Sequence, residues 1–257
     1  MNLRNPLSGP PLEDDQLEKL WPILKFLAGY HRYQVNGFEK IPKRGRGLIV
    51  TNHSLATYDL VLLGAAIMRQ HQRTPIALGD RKLFVLPWMA KWMNRVGVVE
   101  GNQKNAEKAL KTGNLVIVAP GGMREALRPS TQKRKLVWGK RKGFAHLAIR
   151  TQTPVILAAC PKADDLYNVF PNPLTKLMYK KLRLPFIMAK GWGPTLLPKP
   201  VKLVHHISEK LNPPRWKEGQ PGLDEKAARF HQKVETRMAE MLARKGRKLR
   251  LPVLRLI

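Results

Sequence analysis

Leu48-Ile49-Val50-Thr51-Asn52-His53-Ser54-Leu55-Ala56-Thr57-Tyr58-Asp59 decides the reading of this chain, because an apolar run stops at a histidine and an aspartate follows a few residues later. Leu48 to Thr51 are apolar or β-branched and follow the turn glycines Gly45 and Gly47, a pattern that predicts a short buried strand. Tyr58 to Met68 are apolar nearly all round, as in a helix of the core. Ligands of open α/β sheets bind beyond the carboxyl ends of strands, which is where His53 falls. A helix turns by about 100° per residue, so side chains six positions apart point roughly 240° apart. His53 and Asp59 therefore cannot face each other within one helix. The expectation is His53 in the strand-to-helix turn and Asp59 in the first helical turn, accepting from one imidazole nitrogen while the other takes a proton. The same pair would also serve structurally, as a histidine bonded to a loop carbonyl and an aspartate that starts a helix.

Outward from this segment the pattern alternates. Pro75 to Gly79, Leu115 to Ala119 and Pro154 to Cys160 read as further strands, and Asn105 to Thr112, Gly143 to Arg150 and Asp224 to Lys245 as helices. Such alternation predicts an α/β fold, one domain with a central mostly parallel or mixed sheet flanked by helices, for which 257 residues suffice. Leu17, Leu20, Trp21, Leu24 and Leu27 form an apolar stripe in which Pro22 predicts a kink or a late helix start. Residues 1–36 are accordingly assigned to an N-terminal amphipathic segment suited to membrane contact, 37–212 to the α/β domain, and 213–257 to a C-terminal loop, helix and basic tail. Arg128 to Lys142, basic and poor in apolar residues, reads as a surface loop.

Lysines and arginines number 47 against 18 acidic residues, a net charge of +29 that implies a polyanionic partner. An anionic membrane, an acidic substrate carrier and nucleic acid all qualify. Aromatic residues make up only 7% and do not interleave with the basic runs, which argues against a nucleic-acid stacking platform. Phe84 to Met93 and Leu174 to Ile187 mix aromatic or apolar residues with basic ones, as interfacial segments do. No stretch reaches the roughly 18 apolar residues of a membrane span, and Met1 to Pro11 lacks a secretory pattern. The expected location is cytoplasmic, peripheral on the inner face of a membrane. Cys160 is the only cysteine and lies in an apolar run, so a buried inert thiol is expected, and neither a disulfide nor a metal site. Asp164-Asp165 reads as a loop or cap, and His205-His206 as a strand end.

The strand at Leu115 ends in Ala119-Pro120-Gly121-Gly122-Met123-Arg124-Glu125-Ala126-Leu127. Paired glycines let backbone amides turn toward an anion, and Arg124 adds a charge suited to a phosphate or carboxylate unless it pairs internally with Glu125 or Asp59. Together these motifs resemble the glycerolipid acyltransferase superfamily, the lysophospholipid acyltransferases. Asn52-His53 with Asp59 is similar to its histidine-aspartate motif, Pro120 to Arg124 to its Pro-Glu-Gly-Thr-Arg motif, and Pro154 to Leu157 to its last, proline-bearing strand. Five residues separate His53 from Asp59 where the family usually has four, and Gly121 stands where many members carry Glu. The Pro-Gly-Gly-x-Arg-Glu-Ala-Leu form, with Trp138 and Arg141 to Phe144 downstream, is nearer the branch related to monoacylglycerol and diacylglycerol acyltransferases.

That resemblance implies acyl transfer from an acyl-CoA or acyl-carrier-protein thioester, a co-substrate rather than a bound cofactor, to a hydroxyl of a lipid acceptor. His53 would be the general base, Asp59 its orienting partner, and Gly121, Gly122, Arg124 and Glu125 the substrate-binding residues. The alternatives are a basic nucleic-acid-binding protein and a lipid-binding relative without turnover.

Overall fold

A computed structural model of the chain describes residues 14–55, 57–85, 87–172, 188–243 and 253–255. Three parallel strands form its centre: β2 (Gly47–Thr51) between β5 (Leu115–Val118) and β6 (Val155–Ala159). Every residue of β2 and β6 is buried, because each strand feeds two cores. Side chains alternate across a strand. Leu48 and Val50 enter one apolar cluster, with Val116, Val155 and Leu157, while Ile49 enters the other with Leu115, Ile117 and Ile156. A run without polar alternation is what burial on both faces requires.

The sheet extends on both sides. Beyond β5 lie β3 (Ile76–Gly79) and β4 (Val98–Glu100), both parallel. Beyond β6 come β9 (Val204–Ile207), antiparallel to it, then β1 (Gln34–Asn36) and β10 (Val253–Arg255). The order is β10-β1-β9-β6-β2-β5-β3-β4, a mixed sheet with a parallel centre. A separate antiparallel pair joins β7 (Asn168–Val169) to β8 (Ala189–Lys190).

Helices cover both faces. Ala106 and Leu110 of α4 (Gln103–Lys111), Leu147 and Ala148 of α6 (Gly143–Thr151), and Val234 and Met238 of α7 (Leu223–Ala243) fill the cluster on one side. Leu62, Leu63, Ala66 and Ile67 of α2 (Tyr58–His71) fill the other, with Ala28 of α1 (Asp14–Tyr30). Between them lie α3 (Pro87–Arg95) and the single-turn α5 (Gly122–Ala126).

The sequence expectation of a single α/β domain with a mixed sheet holds, and its strands and helices fall within a few residues of their expected places. The proposed boundaries fare as follows. Residues 34–36 pair with β9 inside the sheet, and α7 packs in the core, so both outer segments contribute to the domain. Helix α1 continues through Pro22, neither kinked to a stop nor starting after it, and Arg69 of α2 lies 5.0 Å from the Trp21 ring centroid. The basic stretch 128–142 is not wholly a surface loop. Trp138 is buried against Phe144, and Arg128 is buried among charges. His205 sits within β9 rather than at a strand end. Asp164 and Asp165 lie in a short 3-10 turn and pair with Arg128, Lys133 and Arg134. The stretch Leu174 to Ile187 lies outside the described residues, as do 1–13 and most of the basic tail.

Candidate active site

Strand β2 ends at Thr51 and delivers two motif residues in succession. The Asn52 side chain accepts from the Cys160 amide at 2.9 Å and donates to the Cys160 carbonyl at 3.3 Å, locking the ends of β2 and β6 together. His53 follows, its backbone N–H donating to Glu125 Oε1 at 2.8 Å. Its ring Nδ1 lies 2.8 Å from the Ser54 carbonyl oxygen. A carbonyl only accepts, so Nδ1 carries the hydrogen and Nε2 keeps its lone pair. Burial lowers the His53 pKa below 6.5; the Ser54 carbonyl opposes this and the Arg128 charge adds to it. The imidazole is thereby neutral at physiological pH with a basic nitrogen available.

Asp59 stands in the first turn of α2, as its spacing predicts, but its contacts differ from the expected pair. Among the described residues no hydrogen bond joins it to His53. Asp59 Oδ1 instead accepts from the Ser54 hydroxyl at 2.9 Å, and Oδ2 lies 3.7 Å from His205 Nε2. Ser54 thus stands between the two, hydroxyl to the aspartate and carbonyl to the histidine. The loop makes the difference: the ring turns back on its own backbone, and the carboxylate is wholly buried beneath it. Burial pushes the Asp59 carboxyl up to about 7, against the lowering effect of the Ser54 hydrogen bond. Asp59, Cys160 and His205 bring three ligand-type atoms within 4.8 Å of one another. Cys160 itself is buried and its thiol pKa is raised by burial, in keeping with an inert thiol.

The Gly-Gly motif meets His53 because β5 and β2 are parallel neighbours, so both loops emerge at the carboxyl ends of the strands, on one side of the sheet. Glu125 joins them. Its Oε1 accepts from His53 N–H and its Oε2 from Val137 N–H, each at 2.8 Å, and Arg128 Nη1 lies 3.5 Å from Oε1. Glu125, placed among the substrate-binding residues by the sequence reading, is here a buried clamp with both oxygens bonded within the protein. Burial raises its pKa, opposed by the two amides and by Arg128. Arg128, read from the sequence only as the start of a surface loop, also donates to the carbonyls of His53 and Glu125 and pairs with Asp164. Glutamate followed three residues later by arginine, just past the end of a short helix, was the available signal.

Gly121 has no room for a side chain, since a Cβ there would collide with the Glu125 carboxylate. Gly122 adopts a left-handed φ of 50°, and its amide donates to Ala119 O at 3.0 Å. That amide, read from the sequence as an anion donor, is used here by the turn. Arg141 holds the turn from outside through the carbonyls of Pro120 and Gly121. Arg124 is exposed and, among the described residues, forms no ion pair with Glu125 or Asp59. An exposed Arg124 and a fully buried Asp59 do not line one surface, so His53 is the member of the set that joins the interior network to the exterior.

Residues 32–160 match the acyltransferase family, and the chain belongs to that family. It is 32% identical over 171 residues to a bovine protein named "DGAT1/2-independent enzyme synthesizing storage lipids", covering 66% of this chain and 51% of the relative. The human protein of that name is 31% identical over 171 residues, covering 66% and 52%. This chain thus spans about half the length of the curated relatives it matches. Among solved structures it is similar to the 1-acyl-sn-glycerophosphate acyltransferase PlsC of Thermotoga maritima, with a TM-score of 0.48 and 19% identity over 91% of this chain and 86% of that one.

Proposed function

We propose that this protein transfers a fatty acyl group from an acyl-CoA or acyl-carrier-protein thioester to a hydroxyl of a glycerolipid at a membrane surface. The observation that carries this reading is the fixed tautomer of His53, whose Nδ1–H is held by Ser54 O while Nε2 is left as a base. His53 Nε2 takes the proton of the acceptor hydroxyl as its oxygen attacks the thioester carbonyl. The carbon–sulfur bond then breaks, and the leaving thiolate takes the proton back from the imidazolium. General-base help contributes about 10²- to 10⁴-fold, so positioning of the two substrates supplies much of the remainder. No covalent acyl-enzyme is required. Arg124, exposed beside the Gly-Gly turn, is suited to meet a phosphate of the donor or acceptor.

Association with an anionic membrane is supported by the net charge of +29 and by apolar side chains left in solvent. Ile23 and Phe26 of α1 are 58% and 69% exposed, and Val85 just before α3 and Trp88 within it are 71% and 67% exposed. Each basic residue near an anionic leaflet adds roughly 1 kcal/mol, and the apolar side chains add burial. Among the described residues no helix is long and apolar enough to cross a membrane. Peripheral attachment to the inner face fits these features. The relatives named for storage-lipid synthesis favour a neutral glycerolipid acceptor.

The test is acyl transfer by purified protein from oleoyl-CoA to a panel of glycerolipid acceptors, with products read by mass spectrometry. His53→Ala is expected to abolish transfer while the protein stays folded. Transfer at the wild-type rate by the folded variant would refute the base assignment.

A further inference from the structure

Behind His53 the core holds a line of polar side chains that the acyl-transfer reading leaves unexplained. Tyr33 stands just before β1, His205 on β9, Asp59 on α2 and Ser54 in the loop after β2, and none is more than 3% exposed. Tyr33 Oη lies 2.8 Å from His205 Nδ1, His205 Nε2 3.7 Å from Asp59 Oδ2, and Asp59 Oδ1 2.9 Å from Ser54 Oγ. Their neighbours are apolar: Val35, Ile156, Ala158, Leu62 and Leu63 belong to the same buried cluster. Polar groups in such surroundings cost stability unless they are bonded to one another.

The hydrogens have a consistent direction. If Tyr33 donates to His205 Nδ1, the His205 hydrogen sits on Nε2 and points at Asp59 Oδ2. Those two atoms, Nε2 and Oδ2, are the buried atoms at the middle of the line without a hydrogen-bond partner of their own. They face each other, and an approach of about 0.8 Å would bring them to ordinary N–H···O distance. Asp59 then receives from His205 on one oxygen and Ser54 on the other, and the Ser54 carbonyl receives the His53 Nδ1 hydrogen. With Asp59 protonated the line still closes, the carboxyl donating to Nε2 and Nδ1–H donating to Tyr33. Burial pushes Asp59 up to about 7 and His205 down to about 3, as expected of a carboxylate and an imidazole held away from water.

We infer that Tyr33 and His205 are positioning residues, which hold Asp59 and, through Asp59 and Ser54, fix the ring orientation and tautomer of His53. This rests on the proposed role of His53 as the base. It also accounts for the motif spacing: four residues lie between Ser54 and Asp59, so the carboxylate is spaced for the hydroxyl that it binds rather than for the histidine.

The test compares Tyr33→Phe, His205→Leu and His205→Gln with the wild-type chain. Tyr33→Phe removes one hydroxyl and retains the ring, so it decides the matter if His205→Leu does not fold. Glutamine at 205 can both accept and donate, and serves as the conservative rescue. With oleoyl-CoA and monooleoylglycerol, Tyr33→Phe and His205→Leu are each expected to lower kcat about threefold to tenfold, the equivalent of one buried hydrogen bond. KM should stay within about twofold, and His205→Gln should recover most of the loss.

A second readout needs no turnover: imidazole ¹⁵N shifts of His53, assigned by their disappearance in His53→Ala. The Nδ1–H form should dominate in the wild type, and its ratio to the Nε2–H form should fall at least about threefold in Tyr33→Phe. Unchanged kcat per folded molecule and an unchanged His53 tautomer would overturn the inference. So would a stoichiometric transition metal in the purified protein that Cys160→Ala removes, because the trio would then be a metal site. If His53→Ala stays active while Tyr33→Phe shifts the tautomer, the network stands and the base assignment falls. An inactive His53→Ala beside fully active Tyr33→Phe and His205→Leu gives the reverse.

Discussion

Replacing Glu125 by Gln is the sharpest test of how the two motif loops are held. The carboxylate accepts one backbone N–H on each oxygen, from His53 and from Val137, and neutralises part of the Arg128 charge. Glutamine has the same shape but only one oxygen. Either way it is turned, one of the two amides meets an NH₂ group instead of an acceptor. An unsatisfied buried N–H costs about 1–3 kcal/mol, and weakening a charge-assisted bond adds roughly another 1 kcal/mol, for a total of about 2–4 kcal/mol. Arg128 keeps Asp164, which limits the loss. At about 2–4 °C per kcal/mol for a chain of this size, Tm should fall by roughly 5–15 °C. Loss of the His53 amide contact also frees the segment that carries the imidazole. A displacement of about 1 Å there would lower kcat some hundredfold, with less effect on KM. Thermal unfolding and acyl-transfer kinetics on the same preparations read both effects. An unchanged Tm with a raised KM and intact kcat would refute the clamp and return Glu125 to the substrate-binding role read from the sequence.

Gly121→Ala should be as harmful as its size is small, because the new methyl collides with the Glu125 carboxylate; a Tm drop of several degrees with near-total loss of acyl transfer is expected, and wild-type behaviour would show that the clamp can move aside. Arg124→Ala, at an exposed site, should leave Tm within about 2 °C and raise KM for a phosphate-bearing substrate about tenfold, as measured by initial rates. The pH dependence follows from burial. His53 titrates below 6.5, so kcat/KM should stay level between pH 7 and 8 and fall only on acidification beneath 6.5. His31, His53, His71, His205 and His231 all have lowered pKa values in the folded chain, so the unfolded chain binds more protons below pH 6.5 and Tm should fall there. Asp59 and Glu125, raised by burial, act with the opposite sign but are fewer, so a Tm that rises from pH 7 to pH 5.5 would contradict the balance.

The parts of the fold that were readable in the sequence are those with a period or a length. The buried runs of β2, β5 and β6 have no polar alternation, and α2, α4, α6 and α7 are long enough to show an apolar face. Strands β1, β4 and β10 have three residues each, too few to display any period, and they exist because a neighbouring strand offers them hydrogen bonds. The site divides in the same way. His53 could be found because a strand end is a local event. The partners of Asp59 and Glu125 could not, because each lies on a different element: Ser54 and His205 for the one, the His53 and Val137 amides for the other. Glu125 next to Arg124 looks like a ligand-binding pair in one dimension, and only the parallel pairing of β2 with β5 turns its carboxylate inward.

One local strain remains in the segment that carries the base, and it yields a last test. Thr57 caps α2 in the left-handed region, φ 57° and ψ 13°, with no hydrogen bond from its side chain to the helix. For a β-branched residue that conformation costs about 1–2 kcal/mol, and it is what turns the chain from the His53 loop into α2. Asparagine tolerates the same angles and is also a favourable cap. Thr57→Asn should therefore stabilise the protein by about 1 kcal/mol, raising Tm by roughly 2–4 °C. Acyl transfer should be unaffected as long as Asp59 keeps its bond to Ser54, because the contacts that reach His53 come from Glu125 and Ser54 and none from Thr57. A gain in Tm accompanied by a loss of kcat would mean something different: that the strain at Thr57 presses Asp59 and Ser54 into register, and that relaxing it lets the base drift. A fall in Tm would show that threonine makes contacts at this turn worth more than the strain it bears.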